Sequence, residues 1–172
     1  MSAIVTIEGV YRDRLIDAGG CTLSDSGWRK NMVVLPCRVL LAAFMKNEPT
    51  ALGVRSLQIG RGDPAWDNSP PPNPDPNTTT KLTDAAPFVV PLANLTIQFL
   101  DATDNVVATS TNRIQITAKL GPGQPTPATF PLREFGVFGQ LNGAPQMIDY
   151  VRHPVIQKAG PQTLERKVRL AF

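Results

Sequence analysis

The chain has 172 residues, with 17 basic and 14 acidic side chains and a net charge of +3. This length fits a single domain, and the scattered Lys and Arg lack the basic stripe with interleaved aromatics that is typical of nucleic-acid binding, so no nucleic-acid partner is expected. The longest apolar stretch, 32–45, is interrupted by Arg38 and is shorter than the roughly 20 residues that cross a bilayer, so no membrane partner is expected either.

The first part of the chain predicts one strand and one helix. β-branched residues in 3–11 are typical of an opening strand, and the charged, glycine-containing segment after it, through Gly27, is expected to be a loop. Pro36 suits the first turn of a helix and Asn47 tolerates the left-handed geometry of a helix end, which predicts one helix at about 35–46. Its residues are apolar nearly all round, so we expect this helix to be buried against a sheet.

A short strand and a proline-rich segment come next. The strand, 53–63, places Leu57 and Ile59 on one side and breaks at its glycines. From 63 to 84 the chain is rich in proline and poor in apolar groups. Because such a segment cannot build a core, we expect an extended surface loop inserted into the domain at 63–84.

The second half of the chain predicts strands almost throughout. The runs 95–101, 105–111 and 113–120 predict a β-meander, and the residues between the first two have the turn chemistry to join them. After a loop at 121–129, three further runs show apolar and polar residues in alternation, which indicates strands with one buried face. Those runs are 131–139, 147–158 and 163–172.

Together these elements predict a single β-rich domain over 1–172. We expect a mainly β fold, an antiparallel β-sandwich with one buried α-helix at about 35–46 and long proline-rich loops. The segment 63–84 is interpreted as an insertion into this domain because neither flank resembles a second complete domain.

No residue pattern indicates catalysis. His153 is the one histidine of the chain, and since a nucleophile needs a base beside it, an ordinary turn histidine before Pro154 is favoured. Cys21 and Cys37 have no CxxC spacing and no nearby histidine, which favours two buried thiols over zinc ligands. We therefore expect a protein that is not an enzyme and has no catalytic residue and no cofactor.

The remaining metal candidates are three aspartates of the proline-rich segment. Asp63, Asp67 and Asp75 could offer oxygen ligands to calcium, but their spacing does not match an EF-hand loop. Aspartate is also a routine turn residue, so solvated turns are favoured and no metal site is expected.

Four stretches carry a resemblance to a known class of proteins. They are GWRKNMVVLPCRVLLAAFM, GVRSLQIGRGDPAWD, LREFGVFG and MIDYVRHPVIQKAGPQTLERKVRLAF. In their order the chain resembles small virion structural proteins of tailed bacteriophages, especially those of the tail, baseplate or collar, and of related contractile tail-like particles. The resemblance covers most of 25–172.

This resemblance implies a non-enzymatic structural and assembly protein of a phage tail or tail-like particle that bridges neighbouring subunits. Its partners would be further copies of itself and other virion proteins, and its location would be the virion, assembled in the cytoplasm of the bacterial host. We expect contacts through 63–84 and 121–129, because proline stiffens a segment before it docks and so lowers the cost of ordering it. The candidate contact residues are Trp66, Pro70, Pro71, Pro72, Pro74, Pro122 and Pro125.

Two alternatives stay open at this point. The first is a cement or decoration protein of the capsid surface, which would also be structural. The second is a carbohydrate-binding module, in which the loops that carry Trp28 and Trp66 would present aromatic rings to a sugar.

Overall fold

The computed structural model describes residues 6–127 and 130–172. Within these residues the chain is mainly β, with two antiparallel sheets and one α-helix in a β-sandwich-like arrangement, so the fold prediction is confirmed. The strands are β1 (Glu8–Ile16), β2 (Thr22–Asp25), β3 (Arg29–Lys30), β4 (Met32–Val33), β5 (Leu52–Gly60), β6 (Phe88–Pro91), β7 (Leu95–Leu100), β8 (Val106–Val107), β9 (Arg113–Leu120), β10 (Leu132–Leu141), β11 (Ala144–Ile156) and β12 (Thr163–Ala171). The helix is α1 (Leu35–Met45), and two 3-10 turns lie at Pro64–Asp67 and Leu92–Asn94.

The strands divide into a seven-stranded and a five-stranded sheet. The seven-stranded sheet has the order β2-β1-β12-β9-β7-β8, with β3 also paired to β1, and the five-stranded sheet has the order β4-β11-β10-β5-β6. The three predicted C-terminal strands are therefore confirmed, but they do not stay together. Strands β10 and β11 form a hairpin in the five-stranded sheet, whereas β12 crosses to the other sheet and pairs with β1 and β9.

A shared hydrophobic core holds the two sheets face to face. Alternate residues of β12, such as Val168 and Leu170, and of β10, such as Phe135 and Val137, are almost fully buried in one cluster. The ring of Tyr11 on β1 meets the ring of Phe135 edge to face, with 5.3 Å between centroids. Aromatic pairs favour this geometry, so the contact fixes the first strand against the opposite sheet.

The opening strand lies later in the chain than predicted. The predicted strand was 3–11, of which 3–5 lie outside the described residues, and β1 instead continues to Ile16. The segment through Gly27 is not simply a loop, because β2 lies within it and pairs with β1. The charged residues in the middle of β1 interrupt its apolar pattern, so the sequence does not predict the whole strand. One of these residues, Asp13, has a buried partner in the fold.

The predicted β-meander has a different strand order. Strand β8 has only two residues, and it pairs with β7, not with β9. Strand β7 therefore lies between β9 and β8, and β8 forms the edge of the sheet. The turn between β7 and β8 matches the prediction, because the Asp101 carboxylate accepts hydrogen bonds from the backbone N–H groups of Thr103 and Asn105 at 2.8 and 2.9 Å.

The helix α1 lies where the sequence predicts it. Pro36 occupies its first turn, and Asn47 has a φ of 60°, the left-handed geometry expected just after a helix end. Gly139 on β10 lets the helix pack closely against the sheet, because a Cβ at this position would lie 2.5 Å from a methyl group of Leu40. The helix packs against the sheet on one side, where Cys37 and Leu40 are buried, and it is not buried all round. Neither α1 nor any other helix in the described ranges has the length and apolar character needed to cross a membrane.

Candidate interaction surfaces

The proline-rich segment lies against the outer face of the five-stranded sheet. Trp66, which was predicted as a contact residue, is only 6% exposed. Pro71 and Pro74 are half-buried, and Pro70 and Pro72 remain exposed. The segment is thus a surface loop in part, but its tryptophan belongs to the interior and is not available to a neighbour or a sugar.

Charged groups fasten the start of this segment to the strands beneath it. The guanidinium of Arg133 donates to both carboxylate oxygens of Asp67, at 2.9 and 2.7 Å, and this contact lowers the pKa of Asp67. The backbone N–H of Val155 donates to the same carboxylate at 3.1 Å. Arg152 reaches the carbonyl oxygen of Pro72 at 3.1 Å. Two strands therefore hold the segment at two separate points.

The end of the segment is fixed by a buried carboxylate. Glu134 is fully buried and accepts hydrogen bonds from the backbone N–H groups of Thr83 and Asp84, at 3.0 and 2.7 Å, and from the hydroxyl of Tyr150. Next to it, Leu82 enters a second hydrophobic cluster. The other members of that cluster are Val34, Phe138, Met147 and Tyr150, with Met32 packed against them. The segment is therefore a third layer of the fold and not a free arm.

The second predicted contact loop, 121–129, also contains both exposed and buried prolines. Pro122 is exposed, whereas Pro125 is buried. The residues 128 and 129 lie outside the described part of the chain. Immediately after the loop, the ring of Phe130 is buried beneath the guanidinium of Arg61, 4.9 Å from the ring centroid. Of the predicted contact residues, Pro70, Pro72 and Pro122 are thus the most accessible.

An apolar stripe on α1 faces solvent. Leu35, Val39, Ala42 and Met45 recur at helical spacing, and the structure leaves all four exposed, with Met45 at 85%. The opposite face supplies the buried contacts to the five-stranded sheet. We call these four residues the helix stripe. The five-stranded sheet covers one side of this nearly all-apolar helix, and the helix stripe lies on the side that the sheet does not cover.

A second apolar surface lies where the two sheets differ in width. A row of side chains on the inner face of the seven-stranded sheet runs through Tyr11, Val168, Ile116 and Ile97. The first three are at most 5% exposed and belong to the core, but Ile97 on β7 is 39% exposed. The five-stranded sheet therefore stops covering its partner at β7.

Beyond that point the uncovered inner face forms a groove of about 350 Å³. We call it the β7–β8 groove, and its lining residues are Ile97, Gln98, Phe99, Val106, Val107, Ala108 and Ile114. None of them is ionisable, and Val106 on the edge strand is 53% exposed. An apolar face of this kind next to an unpaired strand edge is a surface that proteins usually cover.

The single histidine belongs to a buried polar cluster. His153 Nδ1 lies 2.7 Å from the carbonyl oxygen of Pro154, and its Nε2 lies 3.1 Å from the Nη2 of Arg166. Since the arginine can only donate, the imidazole is neutral with its proton on Nδ1. Burial, followed by the charge of Arg166, lowers the pKa of His153 to about 4. Both ring nitrogens already have partners, so this arrangement positions strands and offers no free base.

The cysteines and carboxylates do not assemble into a metal site. Cys37 is buried, which raises the pKa of its thiol to about 11, whereas Cys21 is exposed, so the prediction of two buried thiols is only half right. Asp63 caps the 3-10 turn at Pro64–Asp67, and Asp75 caps the turn that begins at Asp75 itself, as solvated turn residues do. Among the described residues, no three His, Cys, Asp or Glu side chains group closely enough to hold a metal ion.

Comparison with known proteins adds no relative. No protein-family model, no curated protein and no solved structure matches this chain.

Sequence reasoning missed both the helix stripe and the β7–β8 groove. For the helix, the signal was present: a run that is apolar all round contains more apolar surface than one sheet can cover. For the groove, the useful signal was the absence of any ionisable residue from 95–100 and 105–112, since a strand pair at a sheet edge normally carries charges.

Proposed function

We propose that this protein is a non-enzymatic structural subunit of a bacteriophage tail or tail-like particle, in which it binds further copies of itself and other virion proteins. One observation carries the proposal: the fold leaves two separate apolar surfaces uncovered, the helix stripe and the β7–β8 groove. The resemblance to tail, baseplate and collar proteins supplies the type of particle.

The physical argument concerns what covers these surfaces. Single exposed apolar residues are ordinary, but contiguous exposed apolar surfaces mark places where proteins associate. Here one surface is a face of the helix that packs on the five-stranded sheet. The other surface is an extended face of the seven-stranded sheet. A subunit of a repeating assembly needs two such contacts, since each copy has a neighbour on either side.

We propose a different role for the proline-rich segment from the one the sequence predicts. Because Arg133, Arg152 and Glu134 fasten it to its own domain, it has little freedom to reach a neighbour. Its exposed prolines, Pro70 and Pro72, can still add rim contacts once a neighbour is bound. We therefore place the main contacts of the proposed assembly on the two apolar surfaces.

The experiment that tests this function is localisation in the particle. An epitope-tagged chain is expressed in the bacterium that produces the particles, and purified particles are labelled with gold-coupled antibody and imaged by electron microscopy. We expect label on the tail or the tail-like tube. Label on the head would favour the capsid-decoration alternative, and particles without label would contradict a structural role.

Two variants make this test specific for the apolar surfaces. Val39→Glu places a charge on the helix stripe, and Ala18→Glu places the same charge on an exposed turn outside both surfaces. We expect the first variant to be depleted from particles and the second to be incorporated like the wild type. Equal incorporation of both would mean that the helix stripe does not contribute to assembly.

A further inference from the structure

We propose that a cavity between the proline-rich segment and the strands beside it binds a small organic oxyanion, a carboxylic acid or a phosphate ester. The cavity has a volume of about 400 Å³. It lies where the chain crosses from β3 in the seven-stranded sheet to β4 in the five-stranded sheet. Such a site would serve the protein whether or not the chain is part of a particle.

The walls of this cavity are held in place before any ligand binds. One wall is the stretch of the proline-rich segment that contains Pro71, Pro72 and Pro74, whose rings fix the backbone φ angle. Strand β11 contributes Tyr150 and Val151, which are both buried. A preformed cavity of this size suits a small molecule, because little conformational freedom is lost when the ligand enters.

Arg152 is a fixed cation in the cavity wall. Its Nε donates to the hydroxyl of Tyr150 at 3.0 Å, and its Nη1 donates to the carbonyl oxygen of Pro72 at 3.1 Å. The guanidinium also lies over the ring of Trp66, 5.1 Å from the centroid. Its Nη2 donates to none of the described residues, so both N–H bonds of this nitrogen remain available to a ligand. A guanidinium positioned in this way is well suited to an oxyanion.

The charge of the cavity also favours an anion. Lys30 on β3 supplies a second cation, and none of the described residues that line the cavity is an aspartate or a glutamate. Neither Lys30 nor Arg152 forms a salt bridge within the described part of the chain. Glu134 is linked to Arg152 through the Tyr150 hydroxyl, on the Nε side of the guanidinium, which leaves the Nη2 side free. Two cations in a partly enclosed cavity without a lining carboxylate attract an anionic ligand.

The other lining groups indicate the size and character of the ligand. Proline rings and the ring of Tyr11 supply apolar surface beside the two cations. The side-chain amide of Asn73, an exposed residue, makes no hydrogen bond to any described residue and can donate to the same ligand. An oxyanion on a short carbon chain therefore fits better than a bare inorganic ion.

Titration of the full chain, labelled with nitrogen-15, tests the site. Succinate and glycerol phosphate are added separately at constant ionic strength, because added salt itself screens charges. The pH is 6, at which Asp149, the hydrogen-bond partner of Asn31 in the cavity wall, keeps its proton. We expect the amide signals of Lys30, Asn73 and Arg152 to shift and to saturate. The ligand that binds more tightly shows whether the site prefers a carboxylate or a phosphate.

Two variants show whether the cations form the site. We expect Arg152→Gln and Lys30→Glu each to weaken binding by about 10-fold or more, since each removes a charged partner of the ligand. Arg55→Glu, at an exposed position of β5 outside the cavity, is the charge-matched control and should bind nearly as the wild type does. Lys30→Glu leaves the contacts of the proline-rich segment intact, so it decides the matter if Arg152→Gln loosens that segment.

Three results would overturn the proposal. They are shifts that do not saturate with either ligand, shifts scattered over the whole surface, and equal affinities of the Lys30→Glu and Arg55→Glu chains. Particle labelling is a separate measurement, so none of these results bears on the proposed function.

Discussion

The carboxylate of Asp13 and the guanidinium of Arg166, 153 residues apart in the chain, form a two-pronged salt bridge in the interior, at 2.7 Å from Nε to Oδ1 and 2.8 Å from Nη2 to Oδ2. Arg166 is fully buried and lies over the ring of Phe135, 3.9 Å from its centroid. The pair joins β1 to β12 and contacts the opposite sheet, so it links three strands through one charged group.

Removal of the carboxylate alone should destabilise the fold strongly. We expect Asp13→Ala to lower the free energy of unfolding by about 3–5 kcal/mol, because it leaves the Arg166 cation buried without its partner. Urea denaturation followed by circular dichroism measures this change. Asp25→Ala is the matched control, since Asp25 pairs with Arg12 at the surface and its loss should barely move the midpoint. Similar losses for both variants would contradict this account.

The buried Asp149 should make the stability depend on pH. It accepts hydrogen bonds from the backbone N–H of Val137 and the amide of Asn31, but burial dominates and raises its pKa from an ordinary 3.8 to about 7. The folded state therefore binds this proton more tightly than the unfolded state, and stability due to Asp149 is present at low pH and lost as the pH rises from about 4 to about 7. We expect Asp149→Asn to unfold at a higher urea concentration than the wild type at pH 8, where the wild type must bury an ionised carboxylate. An equal or lower midpoint at pH 8 would contradict the raised pKa.

His153 should act in the opposite direction over nearly the same range. Its folded pKa of about 4 lies below the ordinary 6.5, so the unfolded state takes up this proton first and stability is lost as the pH falls from about 6.5 to about 4. In the wild type the two contributions offset each other in part. We expect Asp149→Asn to lose more stability than the wild type between pH 6.5 and 4, and His153→Gln to lose less. Urea midpoints at half-unit pH steps provide the comparison, and parallel profiles for all three proteins would show that neither group titrates as described.

The proline-rich segment should contribute to stability and not only to the surface. We expect Trp66→Ala to cost about 3–5 kcal/mol, the usual range for removing a buried aromatic ring. Pro70→Ala, at an exposed position of the same segment, should leave the free energy of unfolding nearly unchanged. Limited proteolysis provides a second measurement, since only the Trp66 variant should be cut readily between 66 and 82. If both variants behave like the wild type, the segment is not a packed layer.

Glu134 should control the end of that segment. Glu134→Gln replaces one accepting oxygen with an amide nitrogen that cannot accept, so either Asp84 or the pair Thr83 and Tyr150 loses its acceptor. A hydrogen bond to a charged group contributes about 1.5–3 kcal/mol, so the protection from hydrogen exchange of whichever amide loses its acceptor, Thr83 or Asp84, should fall by about 10-fold or more. Glu8→Gln, at an exposed position, is the control. Unchanged exchange at both amides would show that the carboxylate does not hold the segment.

The sequence predicts elements whose pattern is local. Strand β12 is identified by apolar residues that alternate with Lys167 and Arg169, and α1 by Pro36 and Asn47 at its two ends. The buried salt bridge left a signal too. Asp13 and Arg166 each stand in phase with the apolar face of their strand, and a charge at such a position indicates a buried partner.

What depends on distant parts of the chain could not be predicted. The burial of α1 depends on how much of the helix the five-stranded sheet covers. The exposure of Ile97 depends on where that sheet ends. The proline-rich segment has the composition of a free loop. It is fixed instead by Arg133 and Glu134, 50 or more residues away, and no local pattern reveals such contacts.

The pairing of β1 with β12 has a consequence for how the molecule reaches this structure. In the register of these strands Glu8 lies opposite Ala171, and β12 sits between β1 and β9 in the seven-stranded sheet. That sheet cannot be completed before Thr163–Ala171 has left the ribosome, so β1 can pair early with β2 and β3 but its edge toward β12 stays open until then. Pairing over such a long separation slows folding, and chaperones that shield exposed strand edges should bind the nascent chain during this interval.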